Sequence, residues 1–205
     1  LVAQGMRTLR NEAETDAATA IYTGASYAVG AAGTNPFATN LNPLADVRKV
    51  LRDNGAPLAD LQFVMDTTSE ANLLKLGVVQ SADTAGSDGE RRSGFVGRQY
   101  GFELRQSAGI EGHTKGAGTG YDANGGEAIG ETVIALDGGT VNTTGIKAGD
   151  VVTFAGDTTK YVVNTGSTAT AGNITIGKPG LAATLADTVE MTIGNDYTPN
   201  MAFDR

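Results

Sequence analysis

The clearest pattern of apolar and polar positions lies in residues 42–65. Asn42 and Pro43 suit an N-cap and a first helical residue. Apolar side chains then recur at helical spacing, at Leu44, Val47, Val50 and Leu51. Gly55 can supply a left-handed helix end. The apolar run 61–65 follows and predicts a strand covered on both faces.

Helical and strand patterns extend on both sides of this segment. Residues 7–28 predict a long helix, because alanines are frequent and apolar positions keep helical spacing. Thr67 and Glu70 have the spacing of a capping box, which predicts a second short helix. Three glycines, Gly94, Gly97 and Gly101, precede an alternating segment that predicts a polar strand.

The C-terminal half changes to short strands separated by turn residues. Strands are predicted at 132–136, 151–155, 160–164, 173–176 and 188–193. Residues 155–159 separate two of these strands as the turn of a hairpin. This spacing predicts a small β-barrel or sandwich.

Glycines mark the expected boundary between the two halves. Gly116, Gly118, Gly120, Gly125 and Gly126 predict a flexible linker. The sequence therefore predicts an α+β core from residues 1–124 and 199–205. A β domain of residues 125–198 is expected to be inserted in that core.

Composition excludes several classes of function. The chain has 205 residues and a net charge of -8. It contains no cysteine, so disulfides, thiolate metal sites and cysteine nucleophiles are excluded. Residues 1–120 hold 11 basic and 13 acidic side chains, whereas residues 121–205 hold 4 and 10. Such an acidic chain disfavours sequence-specific DNA binding. No apolar run reaches the roughly 20 residues needed to span a membrane. Because it starts at Leu1, we expect a piece of a longer protein.

The single histidine is the first candidate for chemistry. His113 lies between Glu111 and Lys115 in a glycine-rich segment, so it could act as a general base or as one metal ligand. With no second histidine in the chain, a zinc site would need carboxylates alone. We therefore expect a solvent-exposed loop histidine and no metal, cofactor or catalytic residue.

Other motifs favour structural explanations as well. The glycines at 116–120 superficially resemble a dinucleotide-binding loop, but no helical pattern follows them. Asp137, Asp150 and Asp157 adjoin glycines, where aspartate is typical of turns. Carboxylates could instead carry acid–base or calcium chemistry, but no calcium-loop motif is present.

Arginines form the remaining candidate site. They are interleaved with Glu90 and Glu103, which favours a charge-paired interface or a solvated face over a nucleic-acid patch. The candidate subunit-interface residues are Arg48, Arg91, Arg92, Arg98 and Arg105.

The order of these segments resembles the major capsid proteins of tailed phages, the Hong Kong 97-type fold. The similarity lies in the helix 47–57 that ends in Asn-Gly-Ala-Pro, the strand 61–65 and the glycine-spaced segment 94–107. Residues 145–163 and 200–203 resemble the inserted β domain of podovirus-like coat proteins. The resemblance implies a shell core, with a spine helix and helices packed on a sheet, and an inserted β-barrel.

The resemblance also implies a function. Such a protein is not an enzyme, and it assembles with copies of itself into the pentamers and hexamers of an icosahedral shell. Scaffolding and portal proteins would be its further partners, and the shell would enclose DNA without reading its sequence. It would be assembled in the bacterial cytoplasm and reside in the virion. The alternative is a phage tail or decoration protein. A carbohydrate-binding or hydrolytic domain is disfavoured by the lack of tryptophan.

Overall fold

The computed structural model describes residues 2–81, 97–140 and 144–204. It is an α+β structure with two sheets, one of them nearly closed like a barrel. The helices are α1 (Val2–Thr23), α2 (Asn42–Asp53), α3 (Thr67–Lys75) and α4 (Gly77–Gln80). The strands are β1 (Tyr27–Ala28), β2 (Gln62–Met65), β3 (Arg98–Gln99), β4 (Phe102–Gln106), β5 (Asp122–Ala123), β6 (Val133–Asp137), β7 (Val151–Phe154), β8 (Lys160–Thr165), β9 (Gly172–Ile176), β10 (Met191–Ile193) and β11 (Met201–Phe203).

The chain divides into two compact units. The first, called here the sheet–helix unit, contains Leu1–Thr19, Thr34–Glu111 and Thr198–Arg205. The second, called the barrel unit, contains Ala20–Gly33 and Gly112–Tyr197. The barrel unit thus starts before residue 125, where the sequence placed the domain boundary, and it also includes residues 20–33.

The sheet–helix unit is built on a sheet of order β11-β2-β4-β3. β2 and β4 are parallel, with Phe63 opposite Leu104, while β11 pairs antiparallel with β2. Strand β2 is largely buried on both faces, as the run 61–65 predicts, but Gln62 makes one of these faces partly polar. The core of the sheet–helix unit consists of Phe37, Leu44, Leu61, Phe63, Met65, Leu73, Leu76, Val79, Phe102 and Leu104.

Two helix starts in this unit differ from the predictions. The N-cap of α2 is Leu41, and Asn42 is already helical. At α3 the cap is Asp66, whose carboxylate accepts hydrogen bonds from the backbone N–H groups of Thr68 and Ser69. Burial alone raises the pKa of Asp66, but these hydrogen bonds outweigh it and the net pKa is lowered. A buried carboxylate therefore replaces the predicted capping box at Thr67.

The barrel unit is built on a second sheet, with the order β10-β7-β8-β9-β6-β5 and with β1 added beside β8. The predicted hairpin is present, with Val151 opposite Val162 and Val152 opposite Tyr161. An antiparallel bridge between Asp122 and Glu190 brings β5 beside the start of β10, so the sheet nearly closes.

The interior of the barrel unit is apolar and contains Tyr121, Ile134, Leu136, Ile146, Val152, Phe154, Tyr161, Val163, Ile174, Ile176, Leu181, Leu185 and Met191. The Tyr161 hydroxyl donates to Asp157 at 2.6 Å and accepts from the N–H of Ala182. Burial and the bond to Asp157 raise the pKa of Tyr161 to about 12. This buried tyrosine therefore stays neutral and hydrogen-bonded.

Two element boundaries differ from the sequence expectation for reasons of backbone geometry. The helix predicted to reach residue 28 ends at Thr23, and Tyr27 pairs with Tyr161 in the sheet instead. The strand predicted from residue 188 starts at Met191, because Thr188 has a left-handed backbone with φ 61°. In the described residues, no helix combines the length and apolar character that crossing a membrane requires.

Candidate functional site

His113 is buried inside the barrel unit, with only 7% of its surface exposed. Its backbone forms an isolated bridge with Tyr197, through His113 N–H to Tyr197 O at 2.7 Å and Tyr197 N–H to His113 O at 3.1 Å. The expectation of a solvent-exposed loop histidine is therefore wrong. The segment around His113 is fixed by pairing with a part of the chain that is remote in sequence.

A buried carboxylate contacts the imidazole. His113 Nε2 lies 2.8 Å from Asp150 Oδ1, and Asp150 is 0% exposed. The same carboxylate accepts the N–H of Gly116 at 3.1 Å and the N–H of Lys147 at 2.8 Å. Buried charges are tolerated when their oxygens are hydrogen-bonded in this way. Asp150 therefore connects His113, Gly116 and Lys147 of the barrel unit through hydrogen bonds.

Two tyrosines surround the imidazole on its other sides. The Tyr22 hydroxyl lies 3.4 Å from His113 Nδ1, and the two ring centroids are 5.7 Å apart. The Tyr197 ring lies 5.4 Å from the imidazole, and its hydroxyl donates to Gly149 O at 2.6 Å. Burial raises the pKa of Tyr197, and the charges of Tyr22 and Asp150 add to this effect. Tyr197 therefore acts as a neutral hydrogen-bond donor.

The geometry defines the proton positions of this cluster. Because Asp150 is an acceptor, His113 Nε2 carries a proton, and Nδ1 is left to interact with the Tyr22 hydroxyl. A histidine oriented by an aspartate also occurs in nucleophilic triads. Here, however, the imidazole packs against Tyr22 and Tyr197 and is only 7% exposed. The arrangement suits the fixing of a loop. The described residues contain no group of three or more side chains suited to a metal ion.

The predicted linker is also part of this packed region. Gly116 and Gly118 are buried, and the Gly118 N–H donates to Gly145 O at 2.9 Å. A Cβ atom added at Gly116 would clash with the Gly145 carbonyl. These glycines therefore serve close backbone approach, and the interpretation of residues 116–120 as a flexible linker is wrong.

The described candidate interface arginines, Arg48, Arg98 and Arg105, belong to the sheet–helix unit. Arg48 Nη1 donates to Tyr100 O at 2.6 Å, and Arg98 Nε donates to Gly101 O at 3.1 Å. Arg105 pairs with Glu103 at 2.6 Å. Arg48 and Arg98 thus support the turn between β3 and β4, whereas Arg91 and Arg92 lie outside the described residues. A role of any of these five arginines in a subunit contact stays a prediction.

Sequence reasoning missed the partners of His113. Asp150 was interpreted as a turn aspartate, and it does accept the Lys147 N–H of its own turn. Its contact with His113 joins residues 37 positions apart. No local spacing signals this pair, so only the fold brings it together.

Replacing Arg48 with alanine should lower the free energy of unfolding only slightly, by about 0.5–1 kcal/mol. The reason is that its hydrogen bond to Tyr100 O is solvent-exposed. Urea midpoints of the chain would measure this, with exposed Arg52→Ala in the same helix as the matched control. A loss several times larger than the control's would mean that Arg48 is essential for the β3–β4 turn.

Comparisons with known proteins found a weak structural likeness. No protein-family model matches the chain, and no curated protein does. A solved structure from Mycobacterium phage Che8 is similar, with 14% identity and a TM-score of 0.48. The match covers 98% of this chain, which spans 61% of that structure's chain. A likeness of this strength does not assign a family or an activity.

Proposed function

We propose that this chain is part of the major capsid protein of a tailed phage or prophage. The observation that carries the proposal is the order of elements around the sheet of the sheet–helix unit. Helix α2, strand β2, helix α3 and strand β4 occur in the order that the resemblance implies. Almost the whole barrel unit lies between β4 and β11 in the chain, and β11 then pairs with β2.

The inserted arrangement supports a structural protein for a physical reason. β11 is an outer strand of the sheet that also contains β2 and β4. Because β11 follows the barrel unit in the chain, this sheet is complete only when the segment after the barrel unit is in place. Residues 112–197 are thus an insertion within a continuous fold. Insertions of this kind are tolerated at surface connections, where they can add a contact surface to an assembling protein.

The proposal assigns no catalytic role to the histidine cluster. His113, Asp150 and Tyr22 hold the barrel unit together, and the chain acts by association with copies of itself in pentamers and hexamers. Scaffolding and portal proteins are its proposed partners, and DNA is enclosed without sequence-specific contacts. The proposed location is the virion, after assembly in the bacterial cytoplasm. Arg48, Arg98 and Arg105 are the described candidates for subunit contacts.

Electron microscopy of the full-length protein that contains this chain tests the proposal. It would be expressed in bacteria with its proposed scaffolding partner, and closed shells of uniform diameter are expected. Tubes would identify a tail protein instead, and dispersed monomers at micromolar concentration would contradict a shell-forming function. An Arg98→Glu variant should reduce the yield of shells while the isolated 205-residue chain stays folded. Unchanged yield would exclude Arg98 from the subunit contact without affecting the main proposal.

A further inference from the structure

Carboxylates from neighbouring strands meet where the barrel-like sheet closes. On one side of β5, Asp122 is directly opposite Asp137 of β6. On its other side, Asp122 forms the antiparallel bridge to Glu190. Directly opposed residues of antiparallel strands project from the same face, with Cβ atoms about 4.5–5.5 Å apart. These three residues, called here the carboxylate row, therefore place like charges side by side, which is destabilising when all are ionised.

The middle member of the row has an unsatisfied oxygen. Asp122 Oδ1 is buried and has no hydrogen-bond partner within the described residues. It lies over the backbone of Gly138, where an added Cβ atom would be only 2.7 Å from it. A buried acceptor without a donor destabilises the fold. A proton on the neighbouring Asp137 would provide the missing donor.

We propose that the carboxylate row stabilises the closure of the barrel-like sheet at low pH. One proton shared between Asp122 and Asp137 joins β5 firmly to β6, and loss of this proton leaves the closure loosened by carboxylate repulsion. The inference concerns the barrel unit alone, so it holds whether or not the chain assembles into shells.

The charges around Asp137 determine the direction of the effect. Hydrogen bonding of its protonated form to Asp122 raises the pKa of Asp137, and burial and the charges of Asp122 and Asp187 raise it further. Glu190 adjoins Asp122, and Glu127 Oε1 accepts from the N–H of Ala135 on the same strand, β6. No basic side chain of the described residues is among the groups that shift this pKa.

The sign follows from linkage between proton binding and folding. The pKa of Asp137 is higher in the folded chain than in the unfolded one. At pH values between these two pKa values, the folded chain therefore binds more protons than the unfolded chain. The stabilisation is therefore complete below the ordinary aspartate pKa of about 3.9 and is lost as pH rises through the raised pKa. The closure at β5 is strongest in acid and weakest at neutral pH.

Backbone hydrogen bonds hold the closure beside the carboxylate row, and one residue there has an unfavourable backbone conformation. The Ala123 N–H donates to Val189 O at 2.9 Å, and the Met191 N–H donates to Tyr121 O at 2.8 Å. Thr188 beside them has φ 61°, which is unfavourable for a β-branched residue. Local opening of the sheet is therefore expected here before the β7–β8 hairpin opens.

Amide hydrogen exchange of the 205-residue chain, followed by NMR, tests this pH dependence of the closure. Protection factors at Asn124, whose N–H donates to Ala135 O of β6, and at Ala123, whose N–H donates to Val189 O, would be compared at pH 4.5 and pH 7.5 after correction for the pH dependence of intrinsic exchange. Several-fold higher protection is expected at pH 4.5, relative to the β7–β8 hairpin amides in the same sample. Equal relative protection at both pH values would overturn the proposal.

Substitutions separate the row from general acid effects. Asp137→Asn should raise protection of Asn124, which bonds to β6, at pH 7.5 above that of the wild type and remove the pH dependence, because its neutral amide can donate to Asp122. The matched control is Glu131→Gln, an exposed carboxylate of the same unit that should keep the wild-type pH dependence. Asp122→Asn is the reciprocal variant, and Asp137→Asn suffices if that variant does not fold. Persistence of the full pH dependence in Asp137→Asn would refute the shared proton.

Discussion

Asp150→Ala is expected to destabilise the barrel unit by about 3–5 kcal/mol, because it leaves several buried donors without an acceptor at about 1–3 kcal/mol each. The lost carboxylate accepts from the N–H groups of Gly116 and Lys147 and contacts His113 Nε2 at 2.8 Å. All of these groups would be left in an interior where Asp150 itself is 0% exposed. A typical domain is stable by about 5–15 kcal/mol, so this loss would be large enough to unfold the unit under mild denaturant.

Urea denaturation followed by NMR signals of the barrel unit would measure this loss. Asp196→Ala is the matched control, because Asp196 also accepts a backbone N–H, from Lys115 at 3.0 Å, but is exposed. The control should cost less than about 1 kcal/mol. If both variants had the same midpoint, the His113–Asp150 pair could not be what fixes this part of the fold.

His113→Ala should also destabilise the barrel unit, though less than Asp150→Ala. Asp150 would keep its bonds from Gly116 and Lys147, while a cavity would form between the rings of Tyr22 and Tyr197. The interpretation of a loop histidine without structural consequence is thus replaced by that of a buried packing residue. Any loss of assembly in this variant should be accompanied by loss of folding.

Elements governed by local periodicity were predictable from the sequence. The apolar spacing of α2 and the run that forms β2 placed both elements within one or two residues of their observed bounds. The β7–β8 hairpin was predictable for the same reason, since two apolar runs flank a turn that contains Gly156 and Asp157. Local patterns suffice where each strand or helix presents an apolar face to one core.

Helix starts and ends depended on competing residues that the patterns could not rank. Thr67 and Asp66 are both good caps by type, and the structure uses Asp66 because it is buried and bonded to two backbone N–H groups. The end of α1 was misplaced because alanines continue past Gly24, although Tyr27 is taken by pairing with β8. Tertiary pairing overrides helix propensity at that point.

The histidine cluster was not predictable, because its members are far apart in the sequence. Tyr22, His113, Asp150 and Tyr197 come from four separate segments. The glycines at 116 and 118 suggested flexibility, while in the fold they permit close approach to Gly145. Glycine content alone does not distinguish a linker from tight backbone packing. The sequence therefore placed the domain boundary at 125, whereas the inserted segment of the barrel unit begins at Gly112.

Phe63→Ala should destabilise the sheet–helix unit by about 3–5 kcal/mol, the usual cost of truncating a buried phenylalanine. Phe63 lies on the central strand β2 and is 3% exposed. Its ring packs edge-to-face against Phe37 at 5.7 Å and against Phe102 at 6.1 Å between centroids. Truncation therefore removes apolar burial and two aromatic contacts at once, and α2 and β4 cannot both close on the cavity.

Phe203→Ala is the matched control in the same sheet. Phe203 is 36% exposed and lies on the outer strand β11, opposite Gln62, so its truncation should cost about 1 kcal/mol or less. Urea midpoints of both variants, read from NMR signals of the sheet–helix unit, decide between them. A midpoint for Phe63→Ala equal to that of the wild type would mean that β2 is not the centre of this core. The element order that supports the proposed shell function would then lose its physical basis, because β2 is the strand on which β4 and β11 both pair.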